Sequence, residues 1–270
     1  MRHYRPSLLL AIGVPFALLF TATVVLQAVT QQEQIDSLID RSGAELLEAL
    51  TSTSQHRLAA FMKEPFRIQR DLADAISRYG LYRAGDMAPI YKHLRGVYSD
   101  LYLDRQQISA LGFGSQAGDY AGIRRENSTT PFVLTLKDAS TKGLLTVYKN
   151  DTPAVVSASF PRYDPRVRPW YAPTAQSGRS AWSSIYANYD ERAEITISAT
   201  TPVTRDGELL GVVAADINLE GLNQFLHDEP LHGNGVIFIT DRQGRLVAHS
   251  EQGSVVSAGQ GVGTPGDRLR

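Results

Sequence analysis

The chain has 270 residues, 43% of them hydrophobic, and a formal net charge of -1, which leaves ample apolar surface for a core and no bulk electrostatic attraction to nucleic acid. It contains no cysteine. Disulfides, thiolate zinc sites and thiol nucleophiles are therefore excluded.

Arg2, His3 and Arg5 precede an uncharged apolar run from Leu8 to Val29, long enough to cross a bilayer core as a helix, with the basic flank on the cytoplasmic side. A cleaved signal peptide is the rival reading, but its apolar part is shorter and ends in small residues, whereas the best site here is Leu26-Gln27-Ala28. The expected arrangement is a cytoplasmic segment 1–7, a membrane helix 8–29, and an exported remainder in the periplasm or extracellular space.

From residue 30 to about 80, Ile35, Leu38, Ile39, Leu46, Leu47, Leu50, Leu58, Phe61 and Met62 recur at helical spacing. This predicts a long stalk helix, weakened at Gly43 and kinked or interrupted at Pro65. Its apolar seam is expected to pair with a second copy, giving a homodimer, although the same face suits packing on its own domain. A second helix is predicted over Met87–Leu101, with Ile90, Leu94, Val97 and Tyr98 on one face.

Past Leu101 the pattern becomes that of short antiparallel strands: Ile108–Gly114, Pro131–Asp138, Gly143–Lys149 and Ala154–Phe160, parted by Gly, Asp, Asn and Pro. Ala193–Val203 alternates, Arg205-Asp206-Gly207 makes a turn, and Glu208–Leu219 is a continuous apolar strand, so the two form a hairpin. Glu220–His227 reads as a short helix. A second hairpin starts at Gly235 and turns at Arg242-Gln243-Gly244. One hairpin alone is marginal, so it is expected either to begin a second module cut short in this sequence or to pack on the first.

Between the strands lies YDPRVRPWY, Tyr163 to Tyr171. Two arginines, aromatic walls and two φ-fixing prolines suit a rigid turn that grips a small anion such as a carboxylate. The plainer reading is a helix start, with Asp164 as N-cap, Pro165 at the first helical position, and Trp170 and Tyr171 in the core. Arg168 would then pair with Asp164 or Asp190, and Arg166 would lie at the surface.

The six histidines are scattered, and no Ser/His/Asp or paired-carboxylate arrangement is evident. His227, Asp228, Glu229 and His232 are interrupted by Pro230, which spoils helical ligand spacing, and Gly259–Gly263 lacks the strand and helix of a phosphate cradle. Neither catalysis, a metal site nor a cofactor is expected.

The membrane run, the long helix, DPRVRPWY followed by WSSIYANYD, the strand end ADI, and the later VIFITDRQGRLVAHS together resemble the double Cache family of extracellular sensor domains. The resemblance covers Gln31 to Ser250. It implies an α+β chain: a transmembrane helix, a stalk helix, a PAS-like antiparallel module over 81–228 that binds the ligand, and the start of a smaller PAS-like module over 229–270. It also implies a receptor in the inner membrane, with a chemoreceptor, kinase or cyclase output elsewhere.

Some members bind amino acids through residues that match Tyr163, Arg168, Trp170, Tyr171, Tyr186 and Asp216 of this chain. By that resemblance Arg168 and the Trp170 indole would hold the carboxylate, while Asp216 and the tyrosines would hold the ammonium. Tyr189 is an alternative to Tyr186. The turn is widespread in the family, and an acid at the ADI strand end occurs also in members that bind no amino acid. A small carboxylic acid or amine, or a ligand-free dimerising spacer, therefore remains open as the alternative.

Overall fold

In the computed structural model of the chain, the described residues are 8–104, 107–125, 132–189, 194–229, 235–240, 244 and 246–251. They fall into two compact units, Met1–Arg57 and Leu58–Arg270. The Arg242-Gln243 half of the second predicted turn, His232, Asp190 and the Gly259–Gly263 run lie outside the described residues.

Helix α1 runs from Leu8 to Arg78, so the apolar run and the predicted stalk form one element. Within the first unit, Gly13–Gln32 is long and apolar enough to cross a membrane, with a mean hydropathy of 1.8 and none of it buried. Pro65 does not interrupt the helix: it is itself buried, and Phe61 and Ile68 on either side of it are anchored in apolar clusters. Such anchoring outweighs the one backbone hydrogen bond that proline removes.

The second unit is built on an antiparallel sheet. Helix α2 (Ala88–Asp104) is followed by β1 (Ala110–Ser115), β2 (Tyr120–Arg124), β3 (Val133–Lys137), β4 (Leu145–Tyr148) and β5 (Val156–Phe160). A 3-10 turn (Pro165–Val167), α3 (Ala172–Ser177), β6 (Ala181–Trp182) and β7 (Tyr186–Ala187) cross over to the hairpin of β8 (Ile195–Arg205) and β9 (Glu208–Asn218), and α4 (Leu219–His227) leaves it. The strand order is β5-β4-β3-β2-β1-β9-β8-β6, with β7 also on β8. The sheet therefore has nine strands rather than the four runs and one hairpin expected; β2, β6 and β7 carry no apolar alternation that would announce them.

One face of this sheet makes the main core. Leu111 and Phe113 of β1, Val213 and Ala215 of β9 and Ile123 of β2 pack against Ile90, Leu94 and Tyr98 of α2 and Ile68, Leu72 and Ile76 of α1. The start of α2 is held by Asp138, whose carboxylate accepts from the Met87 N–H at 3.1 Å and from the Ser140 and Thr141 N–H groups of its own turn. At the tip of the β8–β9 hairpin, Arg205 donates to the carbonyls of Ile76 and Ser77, the end of α1, where a cation complements the helix dipole. Strands β10 (Phe238–Thr240) and β11 (Leu246–His249) form a separate two-stranded sheet. Val247 and Ala248 of β11 share a cluster with Leu222 and Leu226 of α4, Ile217 of β9 and Phe61 of α1.

Candidate ligand-binding site

The opposite face of the sheet is paved with small residues. Strand register aligns Ala214, Gly112, Gly122 and Thr135 across β9, β1, β2 and β3, and Asp216, Ala110 and Arg124 in the next row. This leaves room above the sheet for the segment from Tyr163 to Tyr189. Gly114 makes the close approach of that segment possible, and Gly112 leaves room for the Tyr120 ring of β2. A Cβ on Gly114 would stand 2.7 Å from the Trp170 ring and 2.9 Å from Pro165, and one on Gly112 would stand 2.9 Å from the Tyr120 hydroxyl.

The helix-start reading of the proline-rich stretch holds in part, in that the turn is 3-10. Asp164 extends into the 3-10 turn, accepts from the Arg166 N–H and has Pro165 behind it. Asp164 also takes the exposed Arg166 guanidinium in a two-pronged ion pair at 2.8–3.2 Å. That pairing, chiefly its hydrogen bond, holds the Asp164 carboxyl below the usual carboxylate range. Arg168 is thereby left to point elsewhere.

Between this segment and the sheet lies a cavity of about 70 Å³. Since roughly 10–15 Å³ on this measure holds one water, it takes a ligand of about five or more heavy atoms. Tyr163, Arg168, Trp170, Tyr186 and Asp216 all line it, together with Tyr120, Arg124, Asn188 and Tyr189. Leu145 and Val147 of β4 make its apolar side. Tyr171 does not line it: that ring is buried beside Trp170, Val212 and Ala214, and its hydroxyl donates to Gln116 at 3.1 Å.

Arg168 is half-buried and donates one N–H to the Ala187 carbonyl at 2.7 Å, with its guanidinium 5.5 Å from the Tyr186 ring centre and 5.4 Å from that of Tyr189. Two aromatic faces thus hold the cation by cation–π attraction while its fork stays oriented. Tyr186 and Tyr189, alternatives in the sequence, flank it together. Among the described residues no carboxylate lies within ion-pair distance of Arg168.

Asp216 sits on β9 at the other side of the cavity. Its carboxylate accepts from the Ser198 hydroxyl at 2.6 Å, and Ser198 also contacts the Tyr186 hydroxyl at 2.7 Å. Burial pushes the Asp216 carboxyl up to about 7, against the downward pull of Ser198 and Arg168; Glu194 adds to the rise. Burial also raises Tyr163 and Tyr186, and pushes Tyr171 up to about 12. At neutral pH the site therefore holds the guanidinium groups of Arg168 and Arg124, an acid near its midpoint and neutral phenols.

Sequence reasoning missed Tyr120, Asn188 and Ser198. The glycines at 112, 114 and 122, alternating on one face of adjacent strands, are the signal that a packed object lies over them. Among the described residues no group of three or more His, Cys, Asp or Glu is placed to hold a metal ion.

A nine-stranded antiparallel sheet with helices on one face and a capped, polar-lined cavity on the other is similar in build to Cache-type sensor domains. The family model described as methyl-accepting chemotaxis protein-like, first PDC sensor domain, matches residues 122–224, so that region is similar to chemoreceptor sensor domains of this kind. McpA of Pseudomonas putida is 31% identical over 108 residues, 40% of this chain and 17% of that receptor. PctB of Pseudomonas aeruginosa is 25% identical over 96 residues, 36% of this chain and 15% of that receptor. Both are methyl-accepting chemotaxis proteins, and the matched segments span less than a fifth of their length. In fold, the chain is similar to the ligand-binding domain of the Campylobacter jejuni chemoreceptor Tlp3 in complex with L-valine, with a TM-score of 0.50 and 14% identity over 76% of this chain and 68% of that one.

Proposed function

We propose that this chain is the extracytoplasmic sensing part of a membrane-anchored chemoreceptor and that its ligand is a small amino acid. The observation that carries the reading is the cavity shared by Arg168 and Asp216, a cation and an acid supplied by different elements and not paired with each other. A zwitterion entering a part-buried space needs both of its charges met. Arg168 offers a planar fork to the carboxylate, with Trp170 beside it; Asp216, with Tyr163 and Tyr186 around it, receives the ammonium. Tyr171 acts at one remove, as the packing behind Trp170. The fold shared with a domain crystallised with L-valine supports the same ligand class.

In this reading residues 8–29 cross the inner membrane with the short basic end inside, and the sensor stands in the periplasm. The helix beyond pairs with a second copy, β10 and β11 begin a second PAS-like module, and the signal goes to a methylated output like that of the matched receptors. The chain binds and reports; it does not catalyse.

One observation favours a second ligand class. An Asp216 that is neutral below about pH 7 donates a hydrogen bond, and a small carboxylic acid held by Arg168 would accept it. The test is a thermal-unfolding screen of the detergent-solubilised chain against amino acids, small carboxylates and amines, followed by intrinsic tryptophan fluorescence, with Arg168→Ala and Asp216→Ala alongside. An amino acid that raises the midpoint in proportion to its concentration, and loses the effect in both variants, supports the first reading. A small carboxylate that raises the midpoint where no amino acid does, and loses the effect in both variants, supports the second, and no shift with any of them overturns both.

A further inference from the structure

Ser198 lies on β8 directly opposite Asp216, completely buried. Its hydroxyl is the centre of a three-membered chain: it donates to Asp216 Oδ1 at 2.6 Å, which commits its proton, and is therefore left to accept from the Tyr186 hydroxyl at 2.7 Å. The neighbours on the same strand face work differently. Thr200 meets Thr174 and the Ala181 carbonyl, and Thr196 meets Asn188 at 3.4 Å, so both fasten the overlying segment to the sheet. Ser198 alone in that row touches two residues of the cavity wall at once.

We propose that Ser198 is a positioning residue of the ligand site: its single hydroxyl holds the Asp216 carboxylate in its ionised form and, through the same oxygen, fixes the Tyr186 hydroxyl beside it. The inference builds on the reading of the cavity as a ligand site but concerns Asp216 itself, so its test needs no ligand. A hydrogen bond from a neutral donor favours the charged acceptor. Among the other groups near Asp216, Arg168, on the overlying segment, shares this task through its charge, and Glu194, before β8, opposes it. Tyr163 and Tyr186 are neutral phenols at physiological pH because burial raises both. Tyr98 of α2 spends its hydroxyl on the Ile108 and Ser109 carbonyls. Arg124 of β2 lies two strands away in the same row, with Ala110 between.

Without the Ser198 hydroxyl, Asp216 would keep its burial and lose its hydrogen-bond donor. A neutral Asp216 offers a ligand cation no counter-charge, so loss of Ser198 would weaken binding at pH 7 and restore it at higher pH. A residue that merely fills space would weaken binding equally at all pH values.

The experiment is a carboxyl-carbon NMR titration of the detergent-solubilised full chain labelled at aspartate, with Asp216 assigned by Asp216→Asn. It compares wild type, Ser198→Ala, Ser198→Thr and Tyr186→Phe. In Ser198→Ala the Asp216 midpoint is expected to rise by about one to two pH units. Ser198→Thr keeps the hydroxyl and is expected to stay within about half a unit of wild type, and Tyr186→Phe, which leaves the Ser198–Asp216 bond in place, likewise. An unmoved midpoint in folded Ser198→Ala overturns the proposal. If that variant does not fold, a midpoint in Ser198→Thr raised by about a unit or more overturns it instead. Failure of every amino acid in the ligand screen leaves this titration result standing, so the two readings fail separately.

Discussion

Trp170 stands on Gly114: the far corner of its indole lies 2.7 Å from the place a Cβ would take there, with Pro165 2.9 Å away on the same side. Both members of the proline-rich segment are thus seated by the absence of one side chain on β1. Gly114→Ala is expected to lift that segment and cost about 1–3 kcal/mol by overpacking. Chemical denaturation followed by tryptophan fluorescence measures it, and a variant as stable as wild type would show that the indole has room to slide.

Among the described residues the Arg168 side chain makes one hydrogen bond, to the Ala187 carbonyl, while two tyrosine faces flank it. Removing it is therefore expected to cost ligand affinity far more than stability. Arg168→Ala should weaken binding by roughly 10- to 100-fold, the worth of a charge-assisted hydrogen bond. Arg168→Lys should recover little of it, because a point charge cannot form the fork. Titration calorimetry with the ligand found in the screen decides this; full recovery in the lysine variant would mean that charge alone suffices.

Asp216 gives the domain a pH dependence whose sign is fixed by burial. Its carboxyl titrates near pH 7 when folded and near pH 4 when unfolded, so between those values the folded state holds the extra proton. Stability is then greatest below about pH 4 as far as this group is concerned, and falls as pH rises to about 7, by on the order of 4 kcal/mol. Asp216→Asn should flatten that fall, as measured by urea midpoints at several pH values. Ligand affinity should run the other way for a cationic group, rising about tenfold per unit up to pH 7 and levelling beyond. A flat binding profile would place the ligand cation away from Asp216.

Asp138 joins two parts of the main core that are distant in sequence, since its carboxylate serves both its own turn and the Met87 N–H in front of α2. Asp138→Ala leaves those buried donors without their acceptor and should destabilise the fold by about 2–4 kcal/mol. Circular dichroism during urea unfolding measures the loss, and the ligand screen should otherwise give the same hits as wild type.

Much of this architecture was legible because β8 and β9 alternate or run apolar over eleven residues each, and because α2 repeats its apolar residues at helical spacing. Strand β2 was not: Tyr-Ala-Gly-Ile-Arg reads as loop when taken alone, and its small residues make sense only once the Tyr120 ring is seen against Gly112 and Gly122. The same holds for the site. Tyr163, Arg168, Trp170, Tyr186 and Asp216 could be named from their order in the chain. That adjacent Trp170 and Tyr171 would turn to different surroundings depends on torsions that spacing does not encode. Ser198 was hidden for another reason, since in a strand of alternating Thr, Ser and Ala a buried hydroxyl looks like the solvent side of a hairpin.

Asp216 and Ile217 are consecutive on β9 and so face opposite sides of the sheet, the first into the cavity and the second into the cluster that holds Phe61 of α1. Strand β9 is hydrogen-bonded to β1 on one edge and to β8 on the other, so its backbone is held like a plank nailed along both sides. A shift of the backbone at Asp216 would therefore have to move its two neighbouring strands as well, and with them the apolar cluster under Ile217. A single peptide bond thus separates the floor of the cavity from the apolar cluster on the far side of the sheet.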